Sequence, residues 1–326
     1  MKHLFIINPA AGKVKGQADA LKQRVHNFFE EHPDIEYDIY VTSWCRDAVS
    51  YVRRYVMEAG GGPLRIHAMG GPGTMYEVIN AIVGMENISV AAYPLGSNYH
   101  FLRYFAPEKS GIFASIEKQV FSRSIPMDLI LCGSNYAVNS SYIGLEAWAD
   151  MYGDILVGRG WKPDLSYLLG GMNALFSGRY KAQRCSIELD GLRIEDKFMT
   201  IGIANGPCYG NHYCPAPDAH PDDGLLDVYL VRDLSKKTVV TYLRNYLKGS
   251  YDRAPPGLIA HHRVSKISVT SEDTMYMCID GENFCGVSFE YEIMKHAFSF
   301  VCPDEIDLGK IPLFYGRPER GLRGDE

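Results

Sequence analysis

The segment HAMGGPGTMYEVINAI has the residue types of a phosphate-binding turn. An apolar, strand-like run ends in three closely spaced glycines, Gly70, Gly71 and Gly73. Glycines let a backbone approach an anion closely, and the N–H groups of the helix that follows Thr74 can hold one. Pro72 lies among the glycines and brings neither a charge nor an N–H group. The segment predicts contact with a phosphate or nucleotide; the alternative is a tight strand–helix turn with no ligand.

A second group of reactive side chains lies in MYMCIDGENF, where Gly281 separates Asp280 from Glu282. Asp-Gly pairs are common in tight turns, so the segment predicts a hairpin with both acids at its tip. Two carboxylates this close shift each other's pKa. Transfer of a phosphoryl group to an alcohol needs a carboxylate that accepts the hydroxyl proton. The pair is the candidate for such chemistry; the alternative is an ordinary exposed turn.

Two further clusters hold residue types that bind metals. HPDDGLLDV contains Asp222, Asp223 and Asp227, and hard oxygen ligands of this kind suit Mg²⁺. The alternative is a solvated turn followed by a strand. CYGNHYC contains Cys208 and Cys214, but its spacing fits none of the usual zinc knuckles and a second ligand pair is missing. We expect this cluster to be a loop between strands.

The elements that must position these residues follow two different patterns. Up to residue 125, short apolar strands alternate with amphipathic helices, which predicts an α/β domain with a doubly wound parallel sheet. From 126 to 300 the pattern becomes that of paired strands and predicts a mainly antiparallel, β-sandwich-like domain. Two helices are expected to interrupt it, Leu165–Phe176 and Lys237–Leu247. The tail, residues 301–326, is expected to pack back on the first domain.

Composition narrows the functional classes. The chain has 326 residues, enough for two domains, and a net charge of −6, which argues against a broad surface for nucleic acid but allows a local patch facing anionic lipid. The apolar run in MKHLFIINPAAGK is too short for a secretory signal, and no apolar stretch reaches the roughly 18 residues of a spanning helix. We therefore expect a cytoplasmic protein whose eight cysteines are mostly reduced.

Five motifs occur in a telling order: NPAAGK, GGPGTMYEV, PLGSNYHF, DDGLLDV and IDGE. In this order the chain resembles the diacylglycerol kinase catalytic-domain family, which includes bacterial lipid kinases and the sphingosine and ceramide kinases and is distantly similar to the NAD kinases. The resemblance extends from Leu4 to about Phe300. Any one glycine motif alone would be weak, whereas five in sequence are specific.

The chain departs from the family's pattern in the two motifs that meet the nucleotide. Pro72 replaces an Asp and Tyr76 an Asn in the second motif. In the third, Ser97 replaces a Thr, Tyr99 an Asn, and His100 an Asp. Two acidic residues are thus absent where the family places them at the nucleotide. We interpret the site as altered, binding nucleotide with a weaker dependence on Mg²⁺ than its relatives.

The resemblance implies an ATP-dependent lipid kinase that uses ATP and Mg²⁺ and transfers a phosphoryl group to a lipid hydroxyl, as on diacylglycerol, at an interdomain cleft. It makes Asp280 the general base and gives Glu282 a role in metal binding or orientation. It implies a structural Mg²⁺ held by the Asp223 side chain and the backbone carbonyls of His220 and Leu225. Its nucleotide-binding residues would be Asn8, Thr42, Gly71, Gly73, Thr74, Glu77 and Ser97.

Other functions stay open from the sequence. One alternative is a catalytically impaired nucleotide- or lipid-binding pseudokinase that kept the fold, and another is a kinase of a soluble alcohol. The expected partners are a lipid with a free hydroxyl and a membrane met peripherally, with no nucleic acid. The acceptor lipid and the oligomeric state, a homodimer included, cannot be read from the sequence.

Overall fold

The fold comes from a computed structural model that describes residues 1–11, 16–44, 46–95, 100–105, 110–177, 181–209, 214–251 and 255–308. The chain divides into two units. Unit 1 is Met1–Asp128 together with the described chain from Lys295 onward, and unit 2 is Leu129–Met294. Each unit is described by itself.

Unit 1 alternates strands and helices, as its sequence predicts. The elements are β1 (Lys2–Ile7), α1 (Ala18–Glu30), β2 (Tyr37–Val41), α2 (Asp47–Glu58), β3 (Leu64–Gly70), α3 (Pro72–Ile82), β4 (Ile88–Pro94), α4 (His100–Phe105), a 3₁₀ helix (Ser110–Ala114) and α5 (Ile116–Phe121). The strands run parallel in the order β2-β1-β3-β4. The predicted α/β fold is confirmed.

The strands of unit 1 are apolar on both faces because helices cover a parallel sheet on both sides. Every residue of β3 is buried, and five of the six residues of β1 are. Helix α1 packs Leu21, Val25 and Phe29 against this sheet at a spacing of four residues. The resulting core holds the carboxyl ends of β1, β2 and β3 side by side.

Unit 2 is rich in antiparallel strands. Its elements are β5 (Ser124–Cys132, which begins in unit 1), β6 (Asn135–Ala137), β7 (Ser140–Gly144), α6 (Leu145–Gly158), α7 (Pro163–Phe176), β8 (Gln183–Leu189), β9 (Leu192–Ala204), β10 (Leu226–Arg232), α8 (Lys236–Leu247), β11 (Ile259–Val264), β12 (Lys266–Ile279) and β13 (Glu282–Val301). The antiparallel order is β11-β10-β9-β7-β12-β13, and β8 pairs with both β9 and β12. The predicted antiparallel β-rich fold is confirmed.

Strand β13 supplies residues to both units. Its first part pairs with β12 in unit 2, from Glu282 opposite Ile279 to Glu292 opposite Lys266. Its last part adds a parallel strand next to β4 in unit 1, where Phe300 lies opposite Val90. The sheet of unit 1 is therefore completed by a segment that follows all of unit 2 in the sequence.

Two features of unit 2 were not predicted. Helix α6 directly follows β7, whereas the sequence predicted only the two later helices of this unit. Cys208 and Cys214 form a disulfide, whereas Cys132, Cys185, Cys278, Cys285 and Cys302 are free. The two cysteines of CYGNHYC are therefore bonded to each other, and His212 between them lies outside the described residues.

The described start of the tail contacts unit 1. The backbone N–H of Cys302 donates to the carbonyl of Arg123 at 3.0 Å, and Glu305 forms an ion pair with Lys118 on α5. Residues 309–326 lie outside the described residues, so the packing predicted for that part of the tail stays a prediction.

Candidate active site

Three neighbouring strands of unit 1 end at the same level. Ile7, the last residue of β1, lies opposite Val41 of β2 and Met69 of β3. The residues that follow these strands, Asn8 and Thr42 among them, therefore share the carboxyl edge of the sheet. Open α/β sheets bind ligands at this edge. The N–H of Thr42 also donates to the carbonyl of Ile7 at 2.9 Å, which fixes its position.

The side chains of Asn8 and Thr74 are bonded to each other. Asn8 Nδ2 donates to Thr74 Oγ1 at 3.1 Å, and the N–H of Ala10 donates to Asn8 Oδ1 at 2.9 Å. Gly70 makes this contact sterically possible, because a Cβ at that position would lie 2.1 Å from Thr74 Oγ1. Thr74 is buried, so its hydroxyl is held by the protein at the first turn of α3.

The glycine segment is a strand–turn–helix, as predicted. Gly71 is the N-cap of α3, and its carbonyl accepts from the N–H of Thr74 at 3.1 Å. Pro72 occupies the first turn of the helix, where its missing N–H breaks no helical hydrogen bond. Gly73 is exposed, and a Cβ there would meet nothing within 4 Å. The first turn of α3 thus offers a helix N-terminus to an anion.

Glu77 has a structural role that the sequence does not reveal. Its two carboxylate oxygens each accept a backbone N–H at 3.1 Å, one from Arg46 and one from Ala48. Arg46 is the N-cap of α2 and has a left-handed backbone (φ 64°), and its side chain makes no capping bond. Glu77 on α3 therefore caps α2. Its predicted contact with a nucleotide stays a prediction.

Two positions of the third motif, one of them the predicted site residue Ser97, lie beyond what the structure describes. Ser97 and Tyr99 lie outside the described residues, and only the backbone of His100 is described, at the start of α4. Gly70 lies opposite Pro94, so β4 ends at the same edge as β3 just before this segment.

Asp280 and Gly281 form the two-residue turn between β12 and β13, as predicted. Both have positive φ, 46° and 92°, which is the conformation that Asp-Gly favours in hairpins. The Asp280 carboxylate is half-buried and accepts three backbone N–H groups: Val138 at 2.6 Å, Ser140 at 2.9 Å, and Asn139 at 3.2 and 3.3 Å. The turn is thereby tied to the segment that precedes and begins β7.

Burial and hydrogen bonding act on Asp280 in opposite directions. Burial raises the pKa of its carboxyl group to about 6, although the three N–H groups favour the charged form. A carboxylate offers about four acceptor positions, so three donors leave room for one more hydrogen bond. Glu282 is half-buried at the first position of β13, opposite Ile279.

Helix α6 places a row of carboxylates beside this turn. Glu146, Asp150 and Asp154 are four residues apart and lie on one face of the helix. Asp150 Oδ2 accepts the Cys278 thiol at 3.3 Å, and Asp154 Oδ2 accepts Asn283 Nδ2 at 3.2 Å. Cys278 and Asn283 are opposite each other in the β12–β13 ladder, the second pair from the turn of Asp280. The row therefore lies against the same hairpin.

The carboxyl groups of this row have raised pKa values. Burial and the neighbouring Asp154 raise the pKa of Asp150 to about 7. Burial also raises the pKa values of Asp154 and Glu146, against the hydrogen bonds that Tyr167 donates to the first and that Tyr209 and Tyr246 donate to the second. A pKa near 7, as at Asp150, is typical of groups in functional sites. Sequence reasoning missed the row, although the spacing of acids in EAWADMYGD was a usable signal.

An apolar groove begins at one end of this row. Its lining consists of α8 and the facing strands, with Glu146 and Tyr246 at one side and Met199, Val231, Leu234, Val239, Leu243 and Leu258 along the rest. The Tyr246 hydroxyl donates a hydrogen bond to Glu146 Oε1 at 2.5 Å, so this carboxyl group has a partner at the edge of the groove. The lining of the groove is almost wholly apolar, which suits a hydrocarbon group.

The predicted metal-binding residues are arranged as an ion pair. Asp223 Oδ1 accepts the N–H of Leu225 at 3.1 Å, and Oδ2 accepts the guanidinium of Arg263. The N–H of Asp223 donates to the carbonyl of His220 at 3.4 Å. Both oxygens of Asp223 thus have protein donors, and a guanidinium supplies the positive charge. We derive no chemical step through a metal at Asp223, and the predicted Mg²⁺ site stays a prediction.

Comparison with known proteins places this geometry in a family. A family model described as the diacylglycerol kinase catalytic domain matches residues 2–132. A second, described as the YegS C-terminal NAD kinase beta sandwich-like domain, matches residues 139–302. The chain belongs to the family that this second domain defines, and its first domain matches the diacylglycerol kinase model. The resemblance read from the five motifs is confirmed.

Individual members of this family resemble the chain over most of its length. The "Probable lipid kinase YegS-like" of Yersinia enterocolitica is 25% identical over 315 residues, covering 94% of this chain and 98% of the relative. The protein of the same name from Xanthomonas axonopodis pv. citri is 27% identical over 292 residues, covering 84% and 89%.

The fold also matches a solved structure. A crystal structure of a diacylglycerol kinase from Bacillus anthracis strain Sterne has a TM-score of 0.66 and 18% identity, covering 94% of this chain and 98% of that one. Among the helices that the structure describes, none is long and apolar enough to cross a bilayer.

Proposed function

We propose that this protein is an ATP-dependent lipid kinase that phosphorylates the hydroxyl of a diacylglycerol-like acceptor. The observation that carries the proposal is the half-buried Asp280 at its hairpin turn, with a raised pKa near 6. A general base works best when its pKa lies near the working pH. The match of residues 2–132 to the diacylglycerol kinase catalytic domain supports phosphoryl transfer to an alcohol as the reaction.

Unit 1 would hold the nucleotide. The helix N-terminus at Gly71–Thr74 and the Asn8–Thr74 pair would contact the phosphates of Mg-ATP, because backbone N–H groups and a fixed hydroxyl suit phosphate oxygens. Pro72 removes one donor and one negative charge that a carboxylate would bring. This supports binding of the triphosphate with a weaker need for the accompanying Mg²⁺.

Unit 2 would hold and activate the acceptor. Asp280 accepts the proton of the lipid hydroxyl while the hydroxyl oxygen bonds to the γ-phosphorus. The bond from that phosphorus to the β–γ bridging oxygen breaks, and ADP leaves with the electron pair. The apolar groove under α8 suits the hydrocarbon part of the acceptor.

A transfer assay tests the proposal. Purified protein is incubated with γ-labelled Mg-ATP and dioleoylglycerol in mixed micelles, and with glycerol in a parallel reaction. We expect label in the lipid fraction and none in glycerol. Transfer to glycerol at a similar rate would instead indicate a kinase of a soluble alcohol. If calorimetry shows ATP binding and no acceptor is labelled, the protein is a nucleotide-binding pseudokinase, and the proposal is wrong.

A further inference from the structure

The outer face of the α6–α7 hairpin carries large apolar side chains in solvent. Five of them, from the connection between the helices to the end of α7, are 43–57% exposed: Trp161, Leu165, Leu168, Met172 and Phe176. They are spaced by four, three, four and four residues, so the four on α7 share one face of the helix. Single exposed apolar residues are ordinary on a soluble protein, but a continuous stripe marks an interaction surface. We call it the α7 stripe.

The opposite face of α7 is fixed against α6. Ser166, Gly170 and Ala174 are buried there at intervals of four residues. A Cβ on Gly170 would lie 2.1 Å from the carbonyl oxygen of Ala149, so the two helices are in close backbone contact. A Cβ on Gly153 of α6 would likewise lie 2.4 Å from the Tyr167 ring. Close packing of small residues on this side holds the α7 stripe on the outside.

Positive charge accompanies the α7 stripe. Arg159 and Lys162 are exposed on either side of Trp161 at the tip of the hairpin. The segment from Ile155 to Arg184 contains five basic residues and one acidic residue, whereas the whole chain carries a net charge of −6. At the other end, Lys236 Nζ lies 5.8 Å from the centre of the Phe176 ring. A cationic, apolar strip on an acidic protein complements an anionic, apolar surface.

The chemistry of the strip matches a membrane interface. Trp is enriched at the headgroup level of bilayers, and leucine, methionine and phenylalanine on one helix face bury in the region of the acyl chains. Each lysine or arginine near an anionic leaflet adds electrostatic attraction to the bilayer. We propose that the α6–α7 hairpin docks this protein on an anionic phospholipid bilayer. The α7 stripe lies in the membrane interface, and Arg159 and Lys162 meet the lipid phosphates.

This docking goes beyond the proposed kinase activity, and its test uses no nucleotide. The full chain is sedimented with vesicles of phosphatidylcholine alone or of phosphatidylcholine with about one-third phosphatidylglycerol. The test variant is Leu168→Gln with Met172→Gln. The control is Leu192→Gln with Val287→Gln, two apolar residues of the same unit with similar exposure, 52% and 51%. All four side chains are on the surface, and equal thermal unfolding midpoints show that both variants fold.

We expect the wild type and the control to bind the anionic vesicles, and the test variant to bind at least tenfold more weakly. Arg159→Gln with Lys162→Gln should weaken binding by about thirtyfold and remove most of its dependence on salt. Bromine-labelled acyl chains should quench part of the tryptophan fluorescence of the wild type. This quenching should be absent in Trp161→Phe. Equal vesicle binding by the test variant and the control, or no binding by the wild type, overturns the proposal.

Two further measurements distinguish membrane docking from dimer formation and from the proposed kinase activity. Sedimentation velocity without lipid reports whether the α7 stripe pairs with a second copy; a dimer that the test variant dissociates, with vesicle binding unchanged, overturns membrane docking. Transfer to dioleoylglycerol in micelles reports the proposed kinase activity separately. If the protein binds vesicles but transfers no phosphate, the docking proposal holds and the proposed kinase function is wrong. If it transfers phosphate but does not bind vesicles, only the docking proposal is wrong.

Discussion

Asp280 and Asp190 occupy the same position in two Asp-Gly hairpin turns of unit 2. Each has φ 46° and is followed by a glycine with φ 92°. Each carboxylate anchors its turn to a neighbouring strand, Asp190 through the N–H groups of Ser265 and Lys266 at 2.7 and 2.8 Å. Asp190, however, is exposed. Burial acts on it too, but the hydrogen bonds prevail and lower its pKa, whereas burial raises that of Asp280 to about 6. The same local motif therefore gives one carboxyl group with a lowered pKa and one with a raised pKa.

This pair supplies the first prediction. Asp280→Asn keeps the size of the side chain but cannot accept a proton, so phosphoryl transfer should fall by roughly 10²–10⁴-fold. Asp190→Asn should leave transfer unchanged. Both variants should lose about 1–2 kcal/mol of stability, because an amide has only one acceptor oxygen for these N–H groups. Assays in micelles and urea unfolding measure the two effects. Full activity in Asp280→Asn would remove this residue from the reaction.

The second prediction concerns Asp150 and pH. Its pKa is raised to about 7 in the folded protein, so the folded state binds its proton more tightly than the unfolded state. The stabilisation is complete below about pH 4 and is lost as the pH rises through 7. Urea unfolding between pH 5 and 8 should show this decline in the wild type, and Asp150→Asn should flatten it. Glu195→Gln, at an exposed carboxylate of the same unit, is the control and should keep the slope.

Two glycines of one turn are expected to respond differently to alanine. Gly70→Ala places a Cβ against Thr74 Oγ1, which breaks the Asn8–Thr74 bond and costs about 1–3 kcal/mol. ATP affinity should fall with it. Gly73→Ala meets nothing within 4 Å and should gain about 0.5–1 kcal/mol in the helix. If Gly73 approaches a phosphate, this variant is stable yet binds ATP more weakly. Unchanged ATP binding in both variants would show that the turn does not hold the nucleotide.

The fourth prediction addresses the altered motifs. Pro72→Asp with His100→Asp restores two acids at the sequence positions where the family has them. Calorimetry of ATP with and without Mg²⁺ should show a stronger dependence on Mg²⁺ in this double variant than in the wild type, because the acids can interact with the metal and repel a bare triphosphate. Absence of nucleotide binding by both proteins at millimolar concentration would make the turn a relic.

Local signals predicted much of the site, and long-range contacts account for what was missed. The turns at Gly70–Thr74 and Asp280–Gly281 follow from glycine and Asp-Gly chemistry within a few residues. Helix α6 was missed because Gly153 and Gly158 weaken its intrinsic helix propensity, and packing of Gly153 against Tyr167 offsets that cost. The capping of α2 by Glu77 joins residues about 30 positions apart, which no local pattern shows.

The passage of β13 through both units has a consequence for biosynthesis. Residues Met1–Asp128 leave the ribosome long before the segment around Phe300 is synthesised. Phe300 is fully buried beside β4 in the folded protein. Until then the nascent unit 1 exposes an unpaired strand edge, a feature that invites association with other chains. Chains truncated before Ser299 should therefore be captured by chaperones and accumulate as aggregates. Only chains that include the final strand would then complete the sheet of unit 1 and escape aggregation.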